Sequence, residues 1–218
     1  MSGHPLQTGL PFSIFAEEKQ VKLYRDIFKR VFDFLGALIL LVLLSPLLLV
    51  ALFLVKISSP GPAFFLQTRL GKDGTTFVIY KFRTMTDKKR AVDHEILKGD
   101  AEVTKIGYIL RRLKIDELPQ LYNVLIGDMS FVGPRPSMPE LADSFDENGK
   151  YRLKVRPGIT GYSQVNGNIY LSWPQRWKYD RKYVENLSLP LDVKIILKTV
   201  LIVIFGEDKF KKDDIKDE

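Results

Sequence analysis

The chain has 218 residues, a net charge of +7, two histidines and no cysteine. The lack of thiols excludes disulfides, thiolate zinc sites and cysteine nucleophiles. With only His4 and His94, both in polar surroundings, a serine–histidine–aspartate triad has few candidates. The positive balance suits an anionic membrane surface, a phosphorylated substrate or nucleic acid.

Residues 1–20 read as an irregular arm containing Gly and Pro. From Tyr24 to Val55 the pattern predicts one long helix, interfacial at first and then inserted in a membrane. Its core is the uncharged run Phe34 to Val55. As a straight helix this run is roughly 33 Å long, about the thickness of the hydrocarbon layer. Ser45-Pro46 sits in the middle. Proline has no N–H for the carbonyl of Val42 and its ring crowds that carbonyl, so a kink is expected there. The Ser45 hydroxyl is placed to satisfy freed backbone groups where water is absent.

Charge bears on topology. Lys19, Lys22, Arg25, Lys29 and Arg30 precede the run, and Lys56, Arg69 and Lys72 follow it. Lys and Arg favour the cytoplasmic side. A hairpin that leaves by the face it entered satisfies both flanks; a kinked single span fits the length equally well and satisfies one.

Ser58-Ser59-Pro60-Gly61-Pro62 is a turn that stops the helix. Ala63 to Gln67 and Thr76 to Arg83 read as strands joined by Gly71-Lys72-Asp73-Gly74. Asp87 to Asp100 is highly charged, a solvated helix or a loop. Thr104 to Leu113 reads as a helix with Ile106, Ile109, Leu110 and Leu113 on one face. Next comes Asp116-Glu117-Leu118-Pro119-Gln120. Here Leu118, Leu121, Val124 and Leu125 have helical spacing, Asp116 stands at the expected N-cap and Gly127 supplies the stop. An acidic pair with an early proline is what an ordinary helix start looks like. The same place also offers unpaired N–H groups and a positive dipole to an anion. Two adjacent carboxylates can divide labour, one attacking phosphorus while the other binds Mg²⁺ or orients the site.

Downstream, Gly133-Pro134-Arg135-Pro136 holds one arginine between two prolines, which suits bidentate contact with phosphate and equally suits a rigid surface turn. Arg156-Pro157-Gly158-Ile159-Thr160-Gly161 and Gln164-Val165-Asn166-Gly167-Asn168 are loop-like. Pro190 to Phe205 reads as a largely apolar helix edged by Lys194 and Lys198, lying in the interface or closing a core. Trp173 and Trp177 suit headgroup level or a core. The tail from Lys209 is charged.

Six segments in this order resemble the bacterial monotopic phosphoglycosyl transferases, the bacterial sugar transferase superfamily. They are Ser45-Pro46 in the apolar run, Lys81-Phe82-Arg83-Thr84-Met85, Asp116 to Gln120, Gly133 to Pro136, Arg156 to Gly161, and Tyr179-Asp180 with Tyr183-Val184-Glu185-Asn186. They span residues 24 to about 205. The chain is similar to the small members that lack extra N-terminal membrane helices.

The resemblance implies transfer of a sugar-1-phosphate from a UDP-sugar to undecaprenyl phosphate with release of UMP. Asp116 would be the nucleophile and Glu117 its partner, the two holding Mg²⁺. Lys81, Arg83, Arg111, Arg135 and Asp180 match further positions of the substrate site, with Arg111 and Arg135 assigned to phosphate charge. The implied fold is α/β, mostly helical with a small β-hairpin or sheet. Its parts are an arm (1–23), a re-entrant membrane helix broken at Ser45-Pro46 (24–57), a cytoplasmic catalytic domain with interfacial amphipathic helices (58–206) and a charged tail (207–218). The implied location is the cytoplasmic face of the bacterial inner membrane, in contact with membrane lipid, and a homodimer is compatible with it. Two other classes fit the composition: a membrane-tethered nucleic-acid binder and a single-pass scaffold. Lys and Arg are scattered and no nucleic-acid-binding motif is recognisable, so no nucleic acid is expected. A scaffold gives Asp116, Glu117 and Arg135 no reason to converge.

Overall fold

The computed structural model describes residues 23–86 and 102–206. The arm, the charged stretch 87–100 and the tail from 207, with the forms expected for them, lie outside the described residues, as do His4 and His94.

A π-helical turn, Tyr24–Phe28, leads into α1, Lys29–Ser58. Helical structure continues through Pro46 rather than stopping there, so the expected break is not a loss of helix. Ser45 Oγ donates to the Val42 carbonyl at 2.8 Å, supplying the hydrogen bond that Pro46 lacks. α1 buries Lys29, Asp33 and Ala37 near one end and Ala51 and Val55 near the other. No residue between Ala37 and Ala51 is buried.

After the Pro-Gly turn, β1 (Phe64–Leu70) pairs antiparallel with β2 (Thr76–Phe82), joined by the short helical turn Lys72–Gly74. β1 starts and ends later than the periodicity indicated. α2 is Lys105–Arg112, and its N-cap Thr104 accepts from the Gly107 amide.

The start of the next helix departs from expectation. Asp116 is not its N-cap: Ile115–Glu117 forms a separate 3₁₀ turn, and α3 is Gln120–Ile126 with Pro119 at the cap. Lys114, in the left-handed conformation (φ 56°), breaks the chain away from α2 and opens this separate turn, and Leu118 and Pro119 carry it on to α3. Gly127 does end α3, in the left-handed conformation (φ 99°). Arg30 donates to the carbonyls of Val124 and Leu125, and Arg156 to that of Gly127. Two cations thus meet the negative end of α3.

β3 (Ser130–Val132) pairs parallel with β4 (Gly158–Thr160). The two Pro/Gly motifs, read separately in the sequence, are here one unit. Gly133 N donates to Thr160 O at 2.9 Å and Gly158 N to Pro134 O at 3.0 Å. A Cβ on Gly158 would lie 2.1 Å from Gly133 N, so only glycine allows this approach. Between β3 and β4 lies the short helix α4, Glu147–Tyr151. Two longer helices follow: α5, Trp173–Glu185, and α6, Leu189–Phe205.

The core is distributed. Val132, Val155, Tyr183, Leu187, Ile195 and Ile202 form one cluster. Ala37 packs with Ile79, Val124 and Met129, whereas Ala51 and Val55 pack with Ala63, Phe82 and Leu110. Trp177 is buried against Phe145, so of the two tryptophans only Trp173 reaches the surface. Along α6, Ile195 and Ile202 turn inward while Val193, Ile196, Leu197, Val200, Leu201 and Ile204 remain exposed. The helix therefore closes a core with one stripe and presents apolar surface with the rest.

Candidate active site

β2 delivers Lys81 to the acidic pair. It is fixed there by Asn123 of α3, whose side chain bonds the backbone on either side of Ile79: Oδ1 accepts from Tyr80 N and Nδ2 donates to Val78 O. Fully buried, Asn123 acts as a one-residue strand along the edge of β2. Lys81 Nζ then donates to Glu117 Oε1 at 2.7 Å. Arg135, from the Pro-flanked loop, donates to the same oxygen at 2.9 Å. Burial alone would raise the Glu117 carboxyl, but Arg135 and Lys81 together hold it well below the usual carboxylate range.

Asp116 has the opposite surroundings. It is also buried, yet among the described residues its carboxylate makes no hydrogen bond or ion pair. Burial, reinforced by the neighbouring Glu117 charge, raises its pKa against the opposing pull of Lys81, Arg111 and Lys114. Adjacent carboxylates whose environments drive their pKa values apart are suited to different roles. Arg111 is steadied by donating Nε to Thr84 Oγ1 at 2.7 Å.

Asp116, Glu117, Lys81, Arg111 and Arg135 are thus brought together. Two predicted residues do not touch them. Arg83 is buried with its guanidinium on the Ser59 carbonyl at 2.6 Å, at the end of α1. Asp180 is buried in an ion pair with Arg152 at 3.0 Å and accepts from Ser163 Oγ. Its link to the site is indirect, because Arg152 also donates to the Arg135 carbonyl and to Ser137 Oγ.

Two residues were missed in the sequence. Arg152 lies outside every motif, and nothing in its local pattern marks it. Arg69 had been read only as flanking charge. It donates to the Pro136 carbonyl and to Gln67 Oε1. Burial, and next the Arg135 charge, lower its pKa to about 10. Glu140 and Glu117 oppose that lowering, so Arg69 sits among charges of both signs.

Fold and site first define a class: an enzyme of group transfer with an apolar helix long enough to cross a membrane. The chain belongs to the bacterial sugar transferase family, which matches residues 24–206. It is 42% identical over 181 residues to the uncharacterized sugar transferase EpsL of Bacillus subtilis (strain 168), covering 83% of this chain and 89% of that one. It is 44% identical to the UDP-N-acetylgalactosamine-undecaprenyl-phosphate N-acetylgalactosaminephosphotransferase of Aeromonas hydrophila. That match covers 82% of this chain but 44% of the longer relative. It is 45% identical to the UDP-glucose:undecaprenyl-phosphate glucose-1-phosphate transferase of Caulobacter vibrioides, over 80% of this chain and 69% of that protein.

Proposed function

We propose that this protein moves a sugar-1-phosphate from a UDP-sugar to undecaprenyl phosphate through a covalent intermediate on Asp116, releasing UMP. The observation that carries the reading is the division of the acidic pair: Glu117 is clamped by two cations, and Asp116 is untied. The names of the Aeromonas and Caulobacter relatives support the two substrates. An oxygen of ionised Asp116 attacks the β-phosphorus of the UDP-sugar. The bond from that phosphorus to the bridging oxygen breaks, and its electron pair leaves with UMP. An oxygen of the lipid phosphate then attacks the same phosphorus, freeing the carboxylate and giving the polyprenyl diphosphosugar. Lys81, Arg111, Arg135 and Arg69 bring fixed positive charge to the transferring oxygens, the main demand of phosphoryl transfer.

Among the described residues no three His, Asp or Glu side chains form a metal cage. Two carboxylates fit Mg²⁺ none the less, since this ion is usually held by one or two carboxylates together with substrate phosphates. Asp116 and Glu117 would hold it, and it would template and polarise the diphosphate.

The site lies level with the headgroups on the cytoplasmic face of the inner membrane, with 24–57 as a re-entrant helix and 58–206 as the catalytic domain. Contacts of α1 support the bend. On a straight helix Ala37 and Ala51 are about 21 Å apart. Their partners Ile79 and Phe82 are three residues apart on one strand, about 10 Å. A bend at Pro46 lets both legs reach that strand and frees the unburied residues between them for hydrocarbon. The exposed apolar surface of α6 suits the adjoining interface. The reaction is a first membrane step in assembling a glycan such as an exopolysaccharide.

The test is UMP release over a panel of UDP-sugars with undecaprenyl phosphate and Mg²⁺. Asp116→Asn is expected to lose about 10³-fold or more in turnover while inserting normally in membranes. Unchanged turnover would remove the nucleophile assignment.

A further inference from the structure

A second cationic site lies away from the acidic pair. Three remote segments converge on a shallow, open cleft: the entry to α1, the tip of the β1–β2 hairpin and the stretch before β4. Its charged lining is Arg25, Lys29, Asp33, Lys72, Lys154 and Arg156. None of these residues belongs to the cluster around Asp116.

The charges do not balance within the cleft. Lys29 is paired with Asp192 at 2.5 Å. Asp33 accepts from the Phe131 amide. Arg156 spends its Nε on the Gly127 carbonyl, which leaves its charge in place. The Lys154 ammonium lies 3.6 Å from the centre of the Tyr151 ring, a contact that does not neutralise it. Among the described residues, no carboxylate pairs with Lys72, Lys154 or Arg156. Holding like charges from separate segments around one cleft costs energy unless an anion occupies it.

The position narrows the chemistry. Leu23, Ile27 and Phe28, beside Arg25 and Lys29, are exposed apolar residues at the start of the membrane-suited helix. Lysines act as point charges for phosphate, and basic residues beside a membrane helix attract anionic headgroups. A phosphate need only sit across the open mouth of the cleft, among the charges of Lys72, Lys154 and Arg156. We infer that this cleft binds a phosphate-bearing anion at the membrane surface, separately from the UDP-sugar site. The inference does not depend on the reaction assigned to Asp116.

The experiment uses full-length protein in neutral detergent and the double variant Lys72→Gln/Lys154→Gln, neither position being part of the catalytic cluster. Thermal shift is titrated with dihexanoyl-phosphatidylglycerol, with dihexanoyl-phosphatidylcholine and with inorganic phosphate. Wild type is expected to be stabilised by the glycerol lipid and not by the choline lipid. Affinity for the glycerol lipid should weaken about fivefold per lysine removed, with UMP release unchanged in neutral detergent. A shift with inorganic phosphate equal to that with the lipid would assign the site to free phosphate; a shift with the lipid alone would assign it to the headgroup. Equal shifts in wild type and variant, or equal shifts with both lipids, would overturn the inference. The single variant Lys154→Gln, at an exposed position, gives the same reading should the double variant fail to fold.

Discussion

The carbonyl of Arg135 accepts from Arg152, and Arg152 is paired with Asp180 in a nearly water-free setting. Asp180 thus reaches the proposed site only at second hand, which suits a positioning residue. Removing one member of a buried pair leaves an uncompensated charge and costs about 3–5 kcal/mol. Asp180→Ala should therefore lower the unfolding free energy by that amount and also raise KM for the UDP-sugar, as the Arg135 loop loses its anchor. A variant with unchanged KM would confine Asp180 to stability. The acidic pair makes a separate prediction about pH. Burial and Glu117 raise the Asp116 pKa above its ordinary 3.8, so the proposed nucleophile would be lost on the acid side earlier than a free aspartate. Glu117, driven the other way, stays ionised through that window. The acid limb of kcat/KM should thus lie above 3.8, and a limb at or below it would contradict the assignment. The sign for stability is the reverse. A raised folded-state pKa contributes stability that is complete below the unfolded value and lost as pH rises through the folded one. Near neutral pH Asp116→Asn should therefore melt no lower than wild type.

Among the elements, those built on periodicity were legible and those built on long-range ties were not. The apolar run, α2, α6 and the hairpin follow from spacing that local burial preserves. The stop at Gly127 follows from the left-handed backbone that glycine tolerates. The acidic turn was misread because its geometry depends on Lys114 adopting positive φ, which residue type does not signal. β3 and β4 are three residues each and pair across 28 positions, too short for a local pattern and too far apart for a turn rule. Within the site, Asp116, Glu117, Lys81, Arg111 and Arg135 were identified by resemblance, and contact geometry groups them. Arg83 and Asp180 were named by the same route, yet one bonds the end of α1 and the other a buried arginine. Order along a chain cannot separate a residue that touches substrate from one that holds another in place.

At the scale of the whole molecule the question is how the chain meets the bilayer. The absence of cysteine makes it directly testable. Gln20→Cys and Pro60→Cys are each expected to react with a membrane-impermeant maleimide from the cytoplasmic side only. Reaction of either from the outside alone would replace the hairpin with a span. One tie has a further consequence. Lys29 at the mouth of α1 and Tyr24 just before it both meet Asp192, which also accepts from Tyr183. The ribosome makes residue 29 long before residue 192. The tie between Lys29 and Asp192 therefore forms only once α6 has been made, long after the apolar helix is complete. Chains cut short before that aspartate lack the clasp that joins the two ends of the sequence, and are expected to be cleaved faster than the full chain in limited proteolysis.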